Sequence, residues 1–183
     1  TATVLANGSI TYTPAGDFSG EEIFVVRTTD GTVTTTAVTA TVDPVADAPT
    51  QDADNANVAT LEDTAVAIGL NAPVITDVSS SARNNGISER LGPITLSGFP
   101  IGAKLLDENG VELHEFTGAS VTIRLTDAGL SHTSATGVLD MSADDYSKLQ
   151  VLPPQDRHEN ITITANVSSF EVDVAGAPLA GVA

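Results

Sequence analysis

Short runs of alternating apolar and polar residues, broken by Gly and Pro, predict strands joined by tight turns. Thr3-Val4-Leu5 and Ser9-Ile10-Thr11-Tyr12 flank Asn7-Gly8, a dipeptide suited to the positive-φ positions of a hairpin turn. Residues 14–20 form a turn-rich loop with Phe18 as a candidate for burial. Across residues 22–28, Ile23 and Val25 share one face and Phe24 and Val26 the other, which predicts a strand covered on both sides. Asp30-Gly31 then turns the chain into a threonine-rich strand over residues 32–42. Later strands are predicted at Val66 and Ile68, at residues 121–125 and over 161–170.

One stretch departs from this period. Residues 142–150 read as a helix: Ser142 caps it, Asp144 and Asp145 favour its positive end, and Pro153-Pro154 forbid continuation. Met141 and Tyr146 stand where a hydrophobic staple would pair them. Another organising stretch is residues 41–68, which starts as the end of one β-rich segment and finishes as the opening strand of the next. Pro44 and Pro49 stiffen it, and Asp43, Asp47, Asp52, Asp54, Glu62 and Asp63 crowd it with negative charge.

Composition sharpens this picture. Thr and Val are abundant and aromatics only 4%, so the core is expected to be Val, Ile, Leu and Ala. Seven basic residues face 24 acidic ones, a formal net charge of -17. Such a surface repels phosphate backbones and anionic lipid, which argues against nucleic-acid or membrane-surface partners. Divalent cations would relieve its self-repulsion, although acidity also serves plain solubility. The chain has no cysteine, so a core plus metal must do the work of disulfides. It shows no transmembrane run or signal peptide, and both ends read as cut, opening in mid-pattern and stopping without a closing strand.

Gly8, Tyr12, Pro14, Asp17-Phe18, Gly20, Phe24, Asp30-Gly31 and the run from Pro44 to Pro49 fit a spaced pattern. That pattern resembles the C-terminal part of cadherin-like or Ig-like repeats of giant bacterial surface proteins. Glu62-Asp63-Thr64 with Val66 and Ile68 is similar to the opening of Ig-like repeats in large RTX-type adhesins of the biofilm-associated kind. Asp77, with Asn84 to Leu91, resembles a D-x-D-G-S-E-x-L segment of that family, but asparagines replace an aspartate and Ile87 is inserted, so a site there would hold less charge. Residues 94–106, ITLSGFPIGAKLL, and the short helix before Pro153-Pro154 resemble it too.

The resemblance implies calcium. A hard cation takes six to eight oxygens from carboxylates, amides, carbonyls and water. Asp43 and Asp47 at the joint, Glu62 and Asp63 at the head of the next module, Asp77 and Glu89, and Glu171 with Asp173 at a strand end are the candidate ligands. Any single one of them is otherwise an ordinary solvated acid. No EF-hand loop or nonapeptide array occurs, so such sites would be assembled from distant segments.

Other chemistry has little support. His114, His132 and His158 are scattered, without HExxH or a cysteine partner, and there is no GxSxG elbow or phosphate-binding glycine loop. Asp144-Asp145 are adjacent helix positions that do not face one another across a substrate, so serving the helix dipole is their better account. The threonines of residues 34–41 are good exposed strand residues before they are an ice-matching array. Asn7, Asn160 and Asn166 head formal glycosylation sequons, which mean little in a bacterial protein.

The sequence therefore predicts an all-β chain of tandem Ig-like or cadherin-like β-sandwich modules with one short helix in the second. Residues 1–49 are the C-terminal part of one repeat, and 50–183 a second that lacks its last strand. The expected function is non-enzymatic: an extender segment of a bacterial cell-surface adhesin, extracellular, with Ca2+ stiffening its joint. Its partners would be neighbouring repeats or subunits, with host-surface or matrix glycans met through other domains. A self-assembling filament or surface-layer subunit using strand exchange, and a glycan- or protein-binding module, are the alternatives.

Overall fold

The hairpin foreseen at Asn7-Gly8 forms because each residue there meets its conformational demand. Ala2–Val4 (β1) and Ile10–Tyr12 (β2) pair antiparallel, with Gly8 at φ 83° and the Asn7 side-chain oxygen accepting the Ser9 N–H at 3.1 Å. Gly20–Thr29 (β3) and Val33–Val42 (β4) follow as a second antiparallel ribbon, in register from Gly20 opposite Val42 to Thr29 opposite Val33. The computed structural model describes residues 1–16, 18–29, 33–52, 57–75, 89–118, 120–126, 137–173 and 175–179. Asp17, Asp30-Gly31, Asp54, Asp77, residues 84–88 and His132 lie outside them.

The chain divides into two compact units. Unit 1 comprises Thr1–Asp47, Thr76–Arg90 and Phe170–Ala183; unit 2 comprises Ala48–Ile75 and Leu91–Ser169. In unit 1 the Tyr12 ring stacks on Phe24, centroids 5.7 Å apart, and its hydroxyl donates to Glu22. That face of β3 is half-buried. The opposite face departs from the expectation of cover on both sides: Ile23 is 66% and Val25 64% exposed. A two-stranded ribbon has only one flank occupied by the Tyr12 hairpin, and no described side chain covers the other.

Unit 2 is a β-sandwich. One sheet runs Val138–Met141 (β11), Ser120–Leu125 (β10), Ile94–Ser97 (β7) and Thr164–Asn166 (β13). β7 pairs antiparallel with β10 and β13, whereas β10 and β11 are parallel. The other sheet runs Val66–Ala67 (β5), Gln150–Leu152 (β12), Lys104–Leu106 (β8) and Glu112–Glu115 (β9), antiparallel throughout. Alternation along β10 (Val121 and Ile123 buried) and β7 (Ile94 and Leu96 buried) aims one side of each strand inward. Leu105, Leu113 and Val151 from the second sheet complete the same apolar cluster, with Phe99 stacked on Phe116 at 4.0 Å.

The helix is shorter than its sequence signal. Ala143–Ser147 (α1) carries the full capping box, Ser142 accepting from the Asp145 N–H while the Asp145 carboxylate accepts from the Ser142 N–H. Met141 and Tyr146, the staple pair, are both fully buried. The helix stops at Lys148 because Gln150 begins β12, a central strand whose ladders to β5 and β8 outweigh another helical turn. Residues 161–170 likewise break into two strands. β13 joins β7, while Ser169–Glu171 (β14) pairs with Glu89–Leu91 (β6), and between them the Ser168 carbonyl accepts the Gly92 N–H at 2.7 Å.

Residues just after Pro49 are fastened to unit 2. Thr50 exchanges both main-chain bonds with Val74 at 2.9 Å, and Gln51 donates its amide to the buried Tyr146 hydroxyl at 2.8 Å. Burial pushes the Tyr146 phenol up to about 12, with the Gln51 donor partly opposing the shift. Because its folded value lies above the ordinary 10, the phenol supports the fold fully below pH 10 and loses that support as pH rises through 12. In wild type, chemical-denaturation stability should fall by on the order of 2 kcal/mol across that window. Tyr146→Phe should flatten the alkaline slope and cost about 1 kcal/mol at neutral pH for the lost bond. Gly98 tests the sandwich differently: at φ 94°, an added Cβ would lie 2.0 Å from the Thr162 carbonyl oxygen. Gly98→Ala should therefore lower unfolding free energy by more than about 2 kcal/mol, whereas Gly118→Ala, with nothing within 4 Å, should be near neutral in the same urea titration.

Candidate functional site

The acids singled out in the sequence fall into distinct surroundings. Asp43 and Asp47 lie on an extended, proline-bearing run in unit 1, both exposed, with Pro44 buried between them. The Asp47 N–H donates to the Glu89 Oε1 at 2.8 Å, so two candidates forty-odd residues apart in sequence are in direct contact. Glu89 opens β6 and Glu171 closes β14, strands that pair with each other, and both carboxyl-bearing side chains are fully buried. Asp173 is half-buried two residues further on. Its Oδ1 accepts the N–H groups of Ala175 and Ala177 at 2.8 and 2.9 Å, which organises a tight turn.

Glu62 and Asp63 belong to unit 2 and are exposed. Asp63 sits at φ 57° and accepts the Asp156 N–H at 3.1 Å, with Asp156 itself at φ 56°. Aspartate tolerates this left-handed backbone because its short polar side chain bonds locally. The Glu62 carbonyl accepts the Thr64 hydroxyl at 3.2 Å. Here the Glu-Asp-Thr run acts as a turn that ties the strand entry to the loop after Pro154.

The lysine and arginine side chains of unit 2 each face an acid. Arg124 makes a two-pronged contact with Asp140 at 2.9 and 2.7 Å, and Lys148 bridges Asp144 and Glu108 at 2.8 and 3.1 Å. The two flanking acids raise the Lys148 ammonium above its ordinary value. Asp144 and Asp145 are thus occupied by an ion pair and a helix cap.

What remains distinctive is the pair Glu89 and Glu171. An ionised carboxylate withdrawn from water is costly unless hydrogen bonds or a cation attend it. Oxygen-only donors of this kind suit a hard divalent cation such as calcium and ill suit zinc or copper. Among the described residues no three His, Asp or Glu side chains converge as a ligand cluster. Glu89, Glu171 and Asp47 are no exception, and it is the Asp47 main-chain N–H rather than its carboxylate that meets Glu89. Nothing in the sequence pattern separated these two glutamates from their solvated neighbours. Their signals were a strand end for Glu171 and, for Glu89, its place in the segment that resembles D-x-D-G-S-E-x-L.

Among comparisons with known proteins, the family described as bacterial Ig domain matches residues 1–43. No curated protein and no solved structure matches the chain. The matched stretch contains both ribbons of unit 1, β1 with β2 and β3 with β4. Residues 1–43 are thus similar to a bacterial Ig-like domain, a non-catalytic module that usually occurs in cell-surface or secreted proteins.

Proposed function

We propose that the chain is an extender segment from the stalk of a large calcium-dependent bacterial surface adhesin, its partners being neighbouring repeats of the same polypeptide. The bacterial Ig match over residues 1–43 carries this reading. A β-sandwich with aliphatic filling, as in unit 2, suits a spacer that must hold its shape without chemistry. The carboxylates proposed for calcium are those of Asp43, Asp47, Glu89, Glu171 and Asp173 in unit 1; among the described residues they do not converge as a ligand set by themselves, so main-chain carbonyls and water would supply the remaining oxygens. A cation bound by these acids would screen their mutual repulsion within a chain of net charge -17.

Binding to the folded state alone stabilises by RT ln(1 + [L]/Kd), about 2.7 kcal/mol at a hundredfold excess over Kd. Calcium should therefore raise the melting temperature of the chain, and EDTA should reverse it. Glu89→Gln with Glu171→Gln should abolish the calcium-dependent increment while leaving the melt in EDTA unlowered. Small-angle scattering with and without calcium reads the second consequence, a more extended and less variable particle with the ion bound. Superimposable melts and scattering curves in the two conditions would sink the calcium reading, and the stalk would then need another source of stiffness.

A further inference from the structure

We propose that the outer edge of β3 is a self-pairing surface. Two copies of this chain would join antiparallel through it, about a two-fold axis at Phe24, giving a four-stranded sheet with the β4 strands outermost. β3 takes its ladder from β4 alone, and no other main-chain hydrogen bond among the described residues reaches it. A two-stranded ribbon is marginal in water, and an open edge of this length is a template for another strand. Proteins usually blunt such edges with lysine, proline or a bulge. β3 has none of these: its sequence is GEEIFVVRTT and its register with β4 runs unbroken over ten residues.

The charge pattern selects a second copy as the occupant. Glu21, Ile23, Val25 and Arg27 share the exposed face, and the pattern is its own complement when reversed. Pairing about Phe24 sets Glu21 opposite Arg27 of the second copy at both ends and Ile23 opposite Val25 in the middle. The result is an isologous contact in which the cross-strand pairs of the exposed face are favourable. The Arg27 side chain has no ion pair or hydrogen bond within the described residues, whereas Lys104, Arg124, Lys148 and Arg157 each have an acidic partner and Arg90 donates to the Glu89 carbonyl. In a chain of net charge -17, an arginine side chain with no partner among the described residues is a specific feature. The β4 edge, VTTTAVTATV, is equally open but carries no charge that could set a register.

Sedimentation equilibrium of the chain across concentration, at physiological ionic strength, tests this. Wild type should show a reversible monomer–dimer equilibrium. Glu21→Arg alone and Arg27→Glu alone each turn two attractive contacts into repulsive ones and should raise the dimer Kd by roughly tenfold. An equimolar mixture of the two variants restores both attractive contacts and should recover association as a heterodimer. Both positions are exposed, and far-UV circular dichroism reports that each variant is folded. A wild type that stays monomeric at every concentration overturns the proposal, as it would if the edge were instead taken by another part of the same polypeptide. Dimers indifferent to both reversals, or reversals that the mixture does not rescue, overturn it equally.

Discussion

Water is excluded from the space between the two sheets of unit 2 more completely than anywhere else described in this chain. Ile94, Leu96, Leu105, Phe116, Ile123, Met141, Tyr146 and Leu149 have no exposed surface there. Burial of aliphatic surface is the main favourable term of folding, and here it is achieved with few aromatics and no cross-link. The rest of unit 2 follows from keeping that space dry. Helix α1 is cut to a single capped segment so that Gln150–Leu152 can return as a central strand. The Tyr146 hydroxyl, the one polar group carried deep by the helix, is met by Gln51.

Unit 1 is held differently. Among its described residues the largest fully buried side chains are Glu89, Glu171 and Val172, and its longest ribbon turns Ile23 and Val25 to solvent. Two acids inside and two large aliphatics outside reverse the usual assignment of residues to interior and surface. Both features point to stabilisation from beyond the unit's own apolar contacts. The first is where the proposed cation would act and the second where the proposed strand would pair, and the two are independent, since the glutamates lie on β6 and β14 and the aliphatics on β3.

Much of the architecture was readable from residue pattern alone, since period and punctuation are local properties. Asn7-Gly8 gave its hairpin, Ser142 with Asp145 its cap, and residues 120–125 their alternation. Misreadings came where tertiary pairing overrode local preference. The helix signal past Lys148 yielded to a ladder, and the strand signal over 161–170 split because its halves pair with different partners, β7 and β6. Two-sided cover on β3 rests on apolar residues alternating onto both faces, a pattern that cannot distinguish a strand that is covered from one that awaits cover. The candidate site was less legible still. Eight acids looked alike in sequence, and only the fold distinguishes the buried Glu89 and Glu171 from Asp63, which serves a turn, or Asp173, which organises another.

This sorting changes what an ion would be for. If calcium merely screened a crowded linker, the exposed acids Asp43 and Asp47 would matter most, and salt would do nearly as well. The main chain of that linker is already constrained without any ion: the Asp47 N–H is held by Glu89, Thr50 is bridged to Val74, and between them lie only Ala48 and Pro49. Proline fixes its own φ and biases the residue before it toward extended backbone. The calcium proposed above would act instead at the two glutamates sealed from water on adjoining strands. Under that reading the metal acts on the interior of unit 1, and the linker gains order because Glu89, its hydrogen-bond acceptor, is held in place.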